Sequence, residues 1–178
     1  LLEWSFYRQG ARSTEDADGH GVVSSELFVT EALRHFGDPE ADSEAPGAEK
    51  AGNLADRIQE RRVLLVLDGI EPLQELPDHD NEASLKDDVL RTLLPRLAVR
   101  NRGLCLVTTR RLVKDLTDWR YTTAPHWHLG QLSDTAGARV LQRLGVCGEI
   151  EELRAASREV RGHALTLTLM GQYLPFVY

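Results

Sequence analysis

An acid closes the most hydrophobic run of this chain. Residues 62–71 read RVLLVLDGIE, so five consecutive apolar residues, Val63 to Leu67, lead directly onto Asp68, and Glu71 follows three residues later. A short Val/Leu run ended by a glycine fits a strand buried in a parallel sheet. Burying such side chains is worth about 1.5 to 3 kcal/mol each, so a charge is excluded from the run and belongs at its carboxyl end. In open parallel sheets that end is where ligands bind, and a fixed carboxylate there can hold a hydrated metal ion bound to phosphates. The alternative is that Asp68 and Glu71 are ordinary acids of an Asp-Gly-Ile-Glu turn.

A second run, GLCLVTT over residues 103–109, also ends on polar residues, Thr108, Thr109, Arg110 and Arg111. If the two strands are parallel neighbours, Asp68 and Arg110 reach one edge, with the threonine hydroxyls beside them. An acid that holds magnesium and an arginine that counters phosphate charge recur together in phosphoryl chemistry. A structural salt bridge between the two is the other reading. His126 and His128 flank Trp127 at strand spacing, but two imidazoles without a third ligand make no metal site, and they read as strand-surface histidines.

The elements that must position these residues alternate. Residues 1–7 (LLEWSFY) read as a strand, 8–21 as a polar loop, and the stretch from Ser24 to Phe36 as an amphipathic helix stopped by Gly37 and Pro39. The acidic, proline-containing residues 38–52 read as a mobile loop, followed by a short helix over 54–61. Helical spacing returns over 85–99, with a kink or restart expected at Pro95, and again over 112–119. Residues 127–129 read as a short fourth strand. Three helices, 133–144, 150–160 and 163–174, complete the chain. The pattern predicts an α/β class, a parallel-sheet core over 1–130 and a small helical subdomain over 131–178.

Composition narrows the function classes. A net charge of −7 over 178 residues opposes general affinity for nucleic acid, and no apolar run approaches the length of a membrane span. The two cysteines, Cys105 and Cys147, have neither the number nor the spacing of a disulfide framework or zinc cluster, so a reduced, cytoplasmic setting is expected. Leu1 opens straight into a strand-like run without a tripartite leader, and the chain reads as a piece of a longer protein.

The order of LLEWSFYRQG, HFGDPEAD, RVLLVLDGIEPLQ, GLCLVTTR and RGHALTLTLMGQYL resembles the nucleotide-binding core of STAND-class P-loop NTPases. The likeness is to bacterial NB-ARC-like, AAA-like proteins that carry helical, tetratricopeptide-type repeats downstream. The resemblance covers nearly the whole chain and implies an ATP-dependent signalling switch using ATP/ADP and Mg2+. It implies that Asp68 is the magnesium-coordinating Walker B acid, Glu71 the acid that positions or activates water, and Arg110 the sensor arginine, with Thr109 beside the nucleotide. His163 and Ala164 stand where the family has a Gly-x-Pro motif lining adenine, but the proline is absent. The phosphate loop Gly-x-x-x-x-Gly-Lys-Ser/Thr is absent too, since Lys50, Lys86 and Lys114 follow Glu49, Leu85 and Val113. The resemblance therefore implies a core whose first strand, loop and helix lie upstream, inactive as an ATPase by itself and prone to self-association. A non-catalytic scaffold for protein–protein contact is the alternative, and a nucleic-acid-binding ATPase of related topology is a third reading that the acidic balance opposes.

Overall fold

A computed structural model of the chain describes residues 1–7 and 24–174; the loop expected over 8–21 lies outside them. Two compact units divide at His126/Trp127. The first is mixed α/β. Strands β1 (Leu2–Ser5), β2 (Leu64–Asp68) and β4 (Leu104–Val107) form a parallel sheet in the order β1-β2-β4. A second, two-stranded parallel sheet pairs β3 (Glu82–Ala83) with β5 (Leu112–Val113).

Register decides which side chains are buried. Leu2 faces Leu65 and Trp4 faces Leu67, while Leu65 and Leu67 face Cys105 and Val107 in turn. These residues share one side of the pleat. That side joins a single buried cluster with Phe28, Val29 and Leu33 of α1 (Ser25–His35), Leu54 and Ile58 of α2 (Gly47–Gln59) and Leu90, Leu93 and Leu94 of α3 (Asp88–Val99). Enclosure there pushes the Cys105 thiol up to about 12. The opposite side carries Leu64, Leu104 and Leu106, which are 41%, 60% and 45% exposed. The sheet is thus covered on one face among the described residues.

Several local expectations are corrected. Residues 38–52 are not one loop, because α2 begins at Gly47, and the segment before it is tied down. Asp38 accepts from the Glu40 backbone N–H at 2.9 Å and from Arg57 Nε at 3.0 Å, and its side chain is only 6% exposed. α3 runs through Pro95 without a restart, since Leu93, Leu94, Leu97 and Ala98 bury the helix on both sides of the proline and hold it against the core. Its start is set by Asp87, which accepts from the Leu90 N–H and, at 2.5 Å, from the Ser25 hydroxyl at the start of α1. Residues 112–119 form β5 and then a 3₁₀ turn rather than an α-helix. Residues 127–129 form no strand: no described strand pairs with them, and Trp127 and Leu129 are exposed with His126 and His128.

The second unit is helical, built from α4 (Asp134–Arg143), α5 (Ile150–Glu159) and α6 (Ala164–Tyr173). Ala138, Leu141, Leu153 and Leu167 form its core. Gly162, at φ +67°, sits where an added Cβ would lie 1.9 Å from the Leu132 carbonyl oxygen, so the turn into α6 requires glycine. No helix among the described residues is long and apolar enough to cross a membrane.

One-sided burial predicts unequal costs along neighbouring strands. Leu67→Ala should destabilise the protein by about 2–5 kcal/mol, and Leu104→Ala by no more than about 0.5 kcal/mol, read from urea unfolding midpoints. A second expectation concerns acid. The Glu40 N–H, assisted by Arg57, holds the Asp38 carboxyl below its usual range despite burial. Its contribution to stability is therefore present above the ordinary aspartate value and lost as pH falls through the lowered folded-state value. The difference in melting temperature between wild type and Asp38→Asn should be largest near neutral pH and vanish in strong acid; a difference independent of pH would contradict this.

Candidate functional site

Parallel pairing delivers the carboxyl ends of β1, β2 and β4 to one edge. Asp68 is the last residue of β2, paired with Ser5 of β1, and the chain turns at Gly69 into a 3₁₀ turn over Glu71–Leu73. That turn is suspended from the end of β4: the Gly69 and Ile70 N–H groups both donate to the Thr108 carbonyl at 3.2 Å. The three neighbouring strands thus lead into polar residues within hydrogen-bonding reach of one another.

Each acid is held from both sides. Asp68 Oδ2 accepts from the Ser5 hydroxyl at 3.2 Å, and Oδ1 accepts from the Thr108 hydroxyl at 2.7 Å. The Thr108 oxygen also accepts from the Gly69 N–H at 2.9 Å, so one hydroxyl orients both the acid and the turn. Glu71 Oε2 accepts from the Tyr7 hydroxyl at 2.9 Å, and Oε1 accepts from the Arg110 backbone N–H at 2.5 Å. Partial burial and, next, the bond to Glu71 push the Tyr7 phenol above its ordinary value, keeping it a donor.

Asp68, Glu71 and Arg110 are therefore brought together, though not as a salt bridge. Asp68 is satisfied by hydroxyls, and among the described residues the exposed Arg110 guanidinium takes part in no ion pair. Its backbone is fixed at both ends, the N–H on Glu71 and the carbonyl accepting from Asn81 Nδ2 at 2.9 Å. An anchored backbone carrying an exposed cation next to two fixed carboxylates suits an anion chelated by a cation. Thr109 points elsewhere: its hydroxyl donates to Gln74 Oε1 at 2.6 Å, and Gln74 Nε2 donates to the Ala83 carbonyl of β3 at 3.4 Å.

His163 and Ala164 lie in the second unit. His163 caps α6, its Nδ1 accepting from the Thr166 N–H at 3.2 Å, and Ala164 opens the helix with an exposed side chain. Ser5 and Tyr7 were not legible as site residues. Their only signal is that two hydroxyls alternate with Phe6 at the end of an apolar strand, and parallel pairing with β2 is what aims them at acids more than sixty positions away. Among the described residues no three His, Cys, Asp or Glu side chains cluster as a metal site.

Gly69 has φ +71°, and a Cβ there would lie 2.2 Å from the Tyr7 ring. Gly69→Ala should therefore cost more than about 1 kcal/mol and lower the thermal midpoint, whereas Gly37→Ala, at φ +70° with nothing within 4 Å of the added atom, should cost less. Equal losses at both positions would show that Tyr7 does not pack on the turn. No protein-family model, no curated protein and no solved structure matches the chain.

Proposed function

We propose that the chain is part of an ATP-dependent signalling switch of the STAND NTPase class, with Asp68, Glu71 and Arg110 at its nucleotide edge. The observation that carries this reading is the convergence of two clamped carboxylates and an exposed arginine, in no ion pair among the described residues, at the carboxyl ends of three parallel strands. The donor set fits a magnesium–nucleotide complex, because Mg2+ is commonly bound through one or two carboxylates plus substrate phosphates rather than by an all-protein cage. When bound, the ion would neutralise phosphate charge. Asp68 would hold it, oriented by Ser5 and Thr108. Glu71, restrained by Tyr7 and the Arg110 N–H, offers a fixed acceptor for a water proton. Arg110 supplies positive charge to the terminal phosphate, and Thr109 steadies its strand end through Gln74. ATP/ADP with Mg2+ is the ligand of this reading, in a cytoplasmic protein without a membrane partner.

The phosphate cradle itself is what these residues lack. A strand, phosphate loop and helix upstream would add to the open edge of β4, and their helix would cover Leu64, Leu104 and Leu106. The second reading, a non-catalytic scaffold, rests on that same uncovered apolar face, which would then receive a partner protein.

Calorimetry with magnesium and ATP separates them. The 178-residue chain should bind ATP weakly or not at all and should self-associate through its open sheet. Appending the upstream strand, loop and helix should restore binding, raise the melting temperature and yield monomer together. Tight binding by the 178-residue chain would show that the phosphate site lies elsewhere, and a monomeric chain that gains nothing from the added segment would favour the scaffold.

A further inference from the structure

The two acids share a bonding pattern that separates their roles. Each takes one donor from the end of β1 and one from the end of β4, but the donors differ. Asp68 is held by two hydroxyls, Ser5 and Thr108. Glu71 is held by a main-chain N–H, which cannot rotate away, and by a phenol whose ring is wedged on Gly69. A carboxylate offers about four acceptor positions, so one on each Glu71 oxygen remains for an outside donor, in an orientation that the chain itself dictates. Without the phenol, Glu71 would keep one anchor and could swing about its terminal torsion, which is broad for a carboxylate.

We propose that Tyr7 is the positioning residue of Glu71, fixing this carboxylate as an oriented acceptor at the sheet edge; the catalytic use of that acceptor rests on the switch reading above. The resemblance that singled out Glu71 assigns Tyr7 no role. Its role comes from the 2.9 Å bond and the ring's seat on the turn.

The test reads the carboxylates directly. The 178-residue chain is treated with a water-soluble carbodiimide and an amine, and labelling of individual acids is followed by mass spectrometry. Tyr7→Phe retains the ring and removes only the donor. Losing a hydrogen bond to a charged acceptor leaves the freed carboxylate more available to the reagent, so Glu71 should label about tenfold faster. Asp68 and Glu75 should keep their wild-type rates. Thr108→Val should give the complementary result, labelling of Asp68 rising more than that of Glu71. A selective change in each variant supports the assignment. An unchanged Glu71 rate in Tyr7→Phe, or a uniform rise at all acids of the sheet edge as from general loosening, overturns it. Nucleotide binding is measured separately, so failure of the switch reading and failure of the Tyr7 assignment are told apart.

Discussion

Everything in the first unit depends on β2 being paired along both edges. Its ladder to β1 and β4 satisfies the backbone of the most apolar run in the chain, and its register places Leu65 and Leu67 in the core. A one-residue slip would turn those leucines to the uncovered face, so register is specified by burial. The same register sets Asp68 beside Ser5 and brings Thr108 to its other side. Core packing and site geometry are thus one constraint: the leucines determine where the strand sits, and the strand determines what the acids can touch.

The uncovered face follows from how the chain is wound. The connections from β1 to β2 and from β2 to β4 step across the sheet in one direction, and right-handed crossovers stepping one way lay their helices on one side. That accounts for α1, α2 and α3 sharing a single core with Leu65 and Leu67 while Leu104 and Leu106 remain exposed. Parallel sheets ordinarily bury both faces. The apolar character of Leu64, Leu104 and Leu106 therefore has no structural use within the described residues.

Electrostatics at the sheet edge are arranged through neutral donors. Hydroxyls and main-chain N–H groups orient Asp68 and Glu71 without cancelling their charge, whereas ion pairing would have done so. Arg110 is held through its backbone, leaving its guanidinium exposed. Ion pairs elsewhere, such as Arg120 with Glu82 beside the small sheet, pair charges in support of the fold. The contrast distinguishes an edge whose acids keep their charge from one whose charges are paired internally.

The sequence by itself determined the strands and helices whose pattern is local. Apolar runs ending on Asp68 and on Thr108, the helical spacing of α1 and α3, and the three helices of the second unit were legible because periodicity and capping residues act within a few positions. It determined that Asp68 and Arg110 follow apolar strand runs, but not that those strands are neighbours, nor that the second run, expected to be buried, leaves Leu104 and Leu106 exposed. Tertiary structure decided that pairing. It also decided that Pro95 stays inside a helix, that residues 38–46 are pinned through Asp38 to Arg57, and that 127–129 make no strand, since each outcome depends on a partner remote in sequence. The donors that hold the acids were the least legible part. Ser5 and Tyr7 gain their meaning only when parallel pairing closes more than sixty residues of chain, and no local pattern encodes a contact whose two halves are brought together by the packing of everything between them.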